Sequence, residues 1–147
     1  MVTFQSKKEF INHVASTVRN NILRTYGTTQ GKCIEAADRI ASMLIEMGYN
    51  AHVQQVWCLY ENFESCSDYC YEEHWVTYVL LKGHRLYIDV TMDQFQWAFS
   101  KKLPAIYIDY KLPKFYLIKE PNRSILNKCG WTSWYNTGNY ENNFVYY

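Results

Sequence analysis

Apolar residues in the first third of the chain recur at intervals of three and four positions, which is typical of amphipathic helices. The first such segment spans about residues 6–25 and carries its own boundary signals. Ser6 and Glu9 have the spacing of a capping box, and Gly27 follows as a C-terminal stop. The pattern therefore predicts a first helix over about residues 6–25.

A second helical pattern begins at Cys33 and runs to about Met47, where Gly48 ends it. The helical period assigns one side of this segment to the protein interior. The residues predicted on that inward face are Cys33, Ala37, Ile40, Leu44 and Met47.

Beyond Gly48 the pattern changes to short apolar runs, which favour strands. Three such runs begin at Ala51, His74 and Arg85, and Gly83 marks a hairpin turn between the last two. The run MDQFQWAFS predicts a short helix, and AIYIDY and KFYLIK predict two further strands. Helices followed by an antiparallel run predict an α+β fold, in which N-terminal helices pack on a small antiparallel sheet.

The composition indicates one globular domain without a strong charge. The 147 residues include 15 Lys and Arg and 14 Asp and Glu, so the net charge is +1. This balance predicts no nucleic acid and no membrane as partners. We expect a single domain over residues 1–147, with a core over about 28–120 and an aromatic C-terminal extension over about 121–147.

Cysteine usage and the lack of targeting signals bear on the compartment. The N-terminal segment has no apolar stretch of the signal-peptide type, and no apolar run approaches the ~18 residues of a membrane span. The five cysteines are an odd number, so at least one has no intramolecular disulfide partner. These features predict a cytoplasmic protein with usable thiols, and delivery as an effector is compatible with them.

The cysteine at the mouth of the second helix is the main chemical signal. At that position the Cys33 thiol lies against unpaired backbone N–H groups and the positive end of the helix dipole. Both favour the thiolate, which is the nucleophilic form of cysteine. Cys33 is therefore a candidate nucleophile.

The predicted hairpin supplies an imidazole and a carboxylate. If Lys82 and Gly83 form a two-residue turn, Val76 lies opposite Asp89, and His74 lies on the same face as Asp89, diagonal to it. Diagonal neighbours in a sheet are roughly 7–8 Å apart, within reach of these two side chains. A three-residue turn would place them on opposite faces, and a turn centred one residue later would move them further apart.

Thiol, imidazole and carboxylate are the components of a nucleophilic triad. Cys33 would attack a carbonyl carbon, His74 would accept and return the proton, and Asp89 would orient the imidazole. This combination favours an enzyme without a metal or an organic cofactor. Three further candidates are Gln30 and Trp75, as oxyanion-hole or cleft residues, and Asp93, as a rival to Asp89.

Three segments of the chain resemble the transglutaminase-like branch of the papain-like superfamily: GKCIEAADRIASMLIEMGYNAHVQQV, EEHWVTYV and RLYIDVTMDQF. That branch carries Gly-x-Cys on a helix, His followed by an aromatic residue at a strand start, and Asp-x-Thr at the end of the next strand. The matching residues are Cys33, His74-Trp75 and Asp89-Val90-Thr91, and the resemblance covers about residues 28–97.

This resemblance implies a cysteine-bearing helix packed on a small antiparallel sheet. It also implies a thioester acyl-enzyme formed on an amide of a protein or peptide substrate. Peptidases, isopeptidases, glutamine deamidases and acyl transferases of this superfamily share that intermediate, and small bacterial effectors belong to it. The implied function is thus a thiol-dependent hydrolase or acyl transferase.

Two other functions are compatible with the sequence. A catalytically silent papain-like fold would serve as a binding protein, for example an effector or inhibitor of a host or phage defence complex. Its contact surface would be the aromatic extension and the acidic, cysteine-containing loop before His74. Alternatively, the protein would be a small module stabilised by a zinc ion. The candidate ligands have spacings that differ from those of paired C-x-x-C sites; they are Cys58, Cys66, Cys70 and His74.

Overall fold

Two helices precede a five-stranded antiparallel sheet in the computed structural model, which describes residues 6–61 and 69–121. The helices are α1 (Lys7–Tyr26) and α2 (Cys33–Glu46). The strands are β1 (Ala51–Glu61), β2 (Tyr69–Leu81), β3 (His84–Asp89), β4 (Tyr107–Asp109) and β5 (Tyr116–Leu117), and a 3₁₀ helix spans Met92–Ala98. The α+β fold predicted from the sequence is confirmed.

The boundaries of α1 follow from its capping residues. Ser6 Oγ accepts a hydrogen bond from the Glu9 N–H at 3.1 Å, which pairs one of the N–H groups that a helix start leaves open. Gly27 takes the left-handed conformation, with φ of 73°, and its N–H donates to the Leu23 carbonyl. The predicted span of 6–25 is therefore shifted by one residue at each end.

The turn between β2 and β3 decides which side chains share a face of the sheet. Lys82 and Gly83 both have positive φ, 52° and 81°, as a two-residue hairpin turn requires, and glycine adopts this conformation without steric cost. The ladder runs from Leu81 opposite His84 to Thr77 opposite Ile88. The two-residue turn assumed from the sequence is confirmed.

The strand order is β4-β3-β2-β1-β5, and every neighbouring pair is antiparallel. One face of the sheet packs on α1 and α2. The opposite face is covered by the 3₁₀ helix and the segment that leads to β5. Because side chains alternate along a strand, His74 and Asp89 face the second of these layers.

Helix α2 is fixed to the sheet by apolar packing and by one buried hydrogen bond. Ala36, Ile40 and Leu44 are buried in the layer between the helices and the sheet. The hydroxyl of Thr77 on β2 donates to the Ala37 carbonyl at 2.7 Å. These contacts hold the N-terminal end of α2, and with it Cys33, against β2.

Two details of the elements predicted from the sequence were wrong. Met47, assigned to the inward face of α2, is 61% exposed, because the helix ends at Glu46 and the chain turns away before Met47. His74 does not begin a strand, since β2 starts at Tyr69 and pairs with β1 well before His74.

No helix in residues 6–61 or 69–121 is both long enough and apolar enough to cross a bilayer.

Candidate active site

His74 and Asp89 form a buried hydrogen-bonded pair. His74 Nε2 lies 2.8 Å from Asp89 Oδ2, and the two side chains are 0% and 3% exposed. In the β2–β3 ladder Thr77 lies opposite Ile88. The same register places Val76 opposite Asp89, so His74, two residues before Val76, is the diagonal neighbour of Asp89. The structure thus brings together the imidazole and carboxylate predicted from the sequence.

Asp89 accepts hydrogen bonds on both carboxylate oxygens. Oδ2 accepts from the Tyr116 hydroxyl at 2.6 Å as well as from His74, and Oδ1 accepts from the Thr91 N–H at 2.9 Å and the Thr91 hydroxyl at 3.3 Å. Burial alone would raise the pKa of Asp89, but the positive charge of His74 and these donors outweigh burial and lower it. Asp89 is therefore a buried carboxylate held in its charged form.

Cys33 lies at the first position of α2 and is half-buried. Burial opposes ionisation of its thiol, but the hydrogen bond and the charge of His74 outweigh burial, so the pKa of Cys33 lies below its ordinary value. The backbone N–H of Trp75 contributes a further hydrogen bond to the sulfur. The pairing of β2 with β3 ends at Thr77 and does not extend to Trp75, so the sulfur contacts β2 where β3 no longer pairs with it.

His74 is the link between the thiol and the carboxylate. Burial lowers its pKa, yet the charge and hydrogen bond of Asp89, followed by those of Cys33, raise it to about 9. Nε2 is committed to Asp89, so Nδ1 is the nitrogen that remains for exchange with the thiol. The arrangement stabilises a thiolate–imidazolium pair.

Cys58 shows what the same residue type does without such a partner. Its side chain is fully buried on β1, and burial followed by the nearby charge of Asp89 raises the pKa of its thiol well above the ordinary value. Cys33 and Cys58 are both free thiols. They differ in environment, so only Cys33 of these two is set up as a nucleophile.

Gln94 is a site residue that the sequence pattern did not reveal. Its amide nitrogen lies 2.7 Å from His74 Nδ1, and its amide oxygen accepts from the Gly31 N–H at 3.2 Å. The sequence pattern placed Gln94 only within the predicted short helix MDQFQWAFS. Two polar residues, Asp93 and Gln94, lie between the apolar Met92 and Phe95, so the pattern does not single out Gln94.

Tyr116 was missed for a different reason. Its hydroxyl touches Asp89, and burial followed by the charge of Asp89 raises the pKa of Tyr116 well above its ordinary value, so the phenol stays a donor. It is one of 14 tyrosines, and nothing in its local pattern distinguishes it from the others.

The remaining candidates have other partners. The side-chain amide of Gln30 donates to the backbone carbonyl of Gln94 at 2.5 Å and so connects the loop before α2 to the 3₁₀ helix. Asp93, the rival of Asp89, accepts from Arg19 at 2.7 Å and from the Thr29 hydroxyl at 2.9 Å. These contacts direct Asp93 to α1 and the following loop.

Several predicted features fall outside the described residues. Cys66 and most of the acidic loop lie within 62–68, and almost all of the aromatic extension lies within 122–147. The side chain of Cys70 is likewise not described. Within 6–61 and 69–121, no group of three or more metal-ligating side chains is clustered. The zinc site and the aromatic contact surface stay predictions.

The ion pair predicts selective, pH-dependent alkylation. Iodoacetamide should label Cys33 at a pH below the ordinary thiol range, and His74→Ala should shift the labelling curve of Cys33 to higher pH, because the positive partner is lost. Cys58 should stay unlabelled in the folded protein. Peptide mapping after a timed reaction measures each cysteine separately. Equal curves for Cys33 in the wild type and His74→Ala would contradict the ion pair.

No protein-family model matches the chain, and no curated protein sequence matches it. Among solved structures, the chain is similar to Pasteurella multocida toxin, whose C-terminal region is described as having a thiol-protease-like catalytic triad. The similarity has a TM-score of 0.40 and 15% sequence identity, and covers 74% of this chain and 17% of the toxin chain. The chain thus spans less than a fifth of the length of that toxin chain.

Proposed function

We propose that the protein is a thiol-dependent hydrolase or acyl transferase that acts on an amide of a protein or peptide. The observation that carries this proposal is the chain of contacts from Cys33 through His74 to the buried Asp89. Their order along the sequence is that of the transglutaminase-like branch of the papain-like superfamily, which the chain resembles.

The chemistry follows from where each proton and electron pair can go. The Cys33 Sγ proton passes to His74 Nδ1, and the sulfur attacks the carbonyl carbon of the amide. The resulting oxyanion lies near the N-terminal end of α2, where the Cys33 N–H has no intrahelical acceptor and can donate to it. When the tetrahedral intermediate collapses, the C–N bond breaks and the leaving amine takes the proton from His74. The product is a thioester on Cys33.

A second nucleophile then resolves the thioester. Water gives hydrolysis of a backbone or isopeptide bond, or deamidation when the amide is a glutamine side chain. An amine gives acyl transfer. His74 acts as base for the incoming nucleophile, as it did for Cys33, and Asp89 stabilises the imidazolium in both halves of the reaction.

The surroundings of Cys33 favour a protein or peptide over a small metabolite. The thiol is half-buried, and the adjacent Ile34 is 53% exposed. Tyr26 is also exposed and carries the Lys32 ammonium 3.8 Å above its ring. Lys32 and Ile34 flank Cys33 in the chain, and the Tyr26 hydroxyl donates to the Glu35 carboxylate at 3.0 Å. We expect an extended substrate segment to contact these apolar and charged side chains beside the thiol. A free Cys33 thiol is compatible with a reducing compartment, and a cytoplasmic site of action is part of this proposal.

The proposal is tested by trapping the acyl-enzyme. The protein is mixed with a tryptic digest of a cell lysate and quenched in acid, and Cys33-containing peptides are analysed by mass spectrometry. We expect adducts on Cys33 that hydroxylamine removes, as it does from thioesters. New peptide ends, released ammonia or incorporated dansylcadaverine then distinguish peptidase, deamidase and transferase activity.

The control for this experiment is Cys33→Ala, which should give no adduct and none of the three products. No adduct on Cys33 in the wild type with digest or with intact lysate proteins would contradict the proposal. A biological effect retained by Cys33→Ala would then favour the binding-protein function.

A further inference from the structure

The side-chain amide of Gln94 is held in one orientation. It lies 7% exposed between the loop that enters α2 and the imidazole of His74. The Gly31 N–H can only donate, so the group that faces it must be the amide oxygen of Gln94. The amide NH₂ therefore points at His74 Nδ1, 2.7 Å away.

This orientation makes Nδ1 an acceptor. A neutral imidazole with a lone pair on Nδ1 carries its proton on Nε2, where it is donated to Asp89. Transfer of the Cys33 proton to Nδ1 would place two donors, the new N–H and the Gln94 NH₂, face to face. Gln94 and Asp89 consequently act in opposite directions on the protonation of His74.

We propose that Gln94 is a positioning residue that opposes proton transfer from Cys33 to His74 and so lowers the fraction of the thiolate–imidazolium pair. The inference rests on the proposed function, because the restrained proton is the one that activates the nucleophile. When the ion pair forms, the Sγ–H bond breaks, the N–H bond forms on His74 Nδ1 and the Gln94 NH₂ moves away from that nitrogen, so the Gln94 contact and the ion pair compete for Nδ1. The restraint limits oxidation and alkylation of the resting thiol.

The other groups that face His74 do not supply this effect. Asp89 on β3 and the thiolate of Cys33 on α2 both favour protonation of the imidazole. Tyr116 on β5 lies 5.2 Å from the imidazole between ring centroids, and Cys58 lies on the adjacent strand β1. The pKa values of both are well above their ordinary values, so these two groups are neutral near pH 7.

The test is Gln94→Met, which keeps the length of the side chain and removes its N–H donors. We expect the rate of Cys33 alkylation by iodoacetamide at pH 7 to rise about fivefold, the effect of one hydrogen bond, with the labelling curve moved to lower pH. The ¹⁵N shifts of the His74 ring should report a larger protonated fraction of Nδ1. A residue with only a packing role would leave both readouts unchanged.

Gln96→Met is the matched control. Gln96 belongs to the same 3₁₀ helix, but its amide contacts the Phe99 and Lys101 carbonyls and the Leu103 N–H. Its replacement should leave the alkylation curve of Cys33 where it is in the wild type. If Gln94→Met does not fold, Gln94→Asn provides the second variant, because its shorter side chain cannot span both contacts, and the same increase is expected.

An unchanged or slower alkylation of Cys33 in the folded Gln94 variants would overturn the inference. Alkylation and ring ¹⁵N shifts measure the thiol and the imidazole without any turnover. Their failure would leave the proposed amide chemistry standing, since that is judged by the acyl-enzyme on Cys33. Conversely, if no acyl-enzyme forms but Cys33 in the Gln94 variants is alkylated faster, the role of Gln94 is supported and the proposed function is contradicted.

Discussion

Cys33→Ala is expected to abolish amide turnover while leaving the fold intact. The variant removes the atom that forms the thioester, so kcat/KM should fall by about 10⁴-fold or more, as when other nucleophiles of this kind are removed. Alanine is a good helix former and Cys33 is half-buried, so the helix start is preserved. The measurement is turnover of a substrate identified from its acyl-enzyme, with circular dichroism and urea unfolding to establish the fold.

Cys58→Ala separates loss of a thiol from loss of the nucleophile. Cys58 is fully buried in the layer that covers His74, so its truncation should lower the free energy of unfolding by about 1 kcal/mol. Turnover by the folded fraction should persist. Substantial activity in Cys33→Ala, or its loss in Cys58→Ala at an unchanged folded fraction, would assign the chemistry to another group.

The face-sharing of His74 and Asp89 was predictable because it depends on local geometry. A two-residue turn at Lys82-Gly83 fixes the register of the β2–β3 hairpin, and register fixes which side chains share a face. The start of α2 was also local, since its apolar period begins at Cys33. The sequence therefore predicts that His74 and Asp89 share a face of the sheet, and the structure gives the 2.8 Å distance between their polar atoms.

Gln94 and Tyr116 were not predictable because their roles depend on how distant elements pack. Tyr116 meets Asp89 only because β5 joins the sheet beside β1, on the far side of β2 from β3. Gln94 meets His74 because the 3₁₀ helix folds back over the sheet. Neither contact has a signature in residue spacing. Each contact gives a buried titratable group, His74 or Asp89, a hydrogen-bonding partner from an element distant in sequence.

The site also explains why its carboxylate comes from the end of a strand. Asp89 is the last residue of β3, so the chain is free to turn at once and bring the Thr91 N–H back onto Oδ1. The same turn starts the 3₁₀ helix, which carries Gln94 to the opposite side of the imidazole. One short segment thereby supplies the group that favours protonation of His74 and the group that opposes it.

Asp89→Asn is expected to have the largest combined effect on stability and on the thiol. Its two oxygens accept from His74, Tyr116 and Thr91, and an asparagine keeps only one acceptor atom, so its NH₂ must face a donor. Breaking a buried, hydrogen-bonded charge pair should lower the free energy of unfolding by roughly 3–5 kcal/mol. The pKa of His74 should fall and that of Cys33 should rise, so Cys33 alkylation at pH 7 should slow.

The pH dependence of this stability loss has a defined sign. The pKa of Asp89 is lowered by folding, so its contribution is present above its unfolded value of about 3.9 and is lost as pH falls through the folded value. The pKa of His74 is raised to about 9, so its contribution is complete below about 6.5 and is lost as pH rises through about 9. Urea unfolding should therefore show the largest difference between wild type and Asp89→Asn at about pH 4–6.5.

Asp93→Asn is the control for the effect on the thiol. It removes a carboxylate that is bound to Arg19, so the alkylation curve of Cys33 should stay unchanged. A shift of that curve in Asp93→Asn but not in Asp89→Asn would reassign the orienting carboxylate.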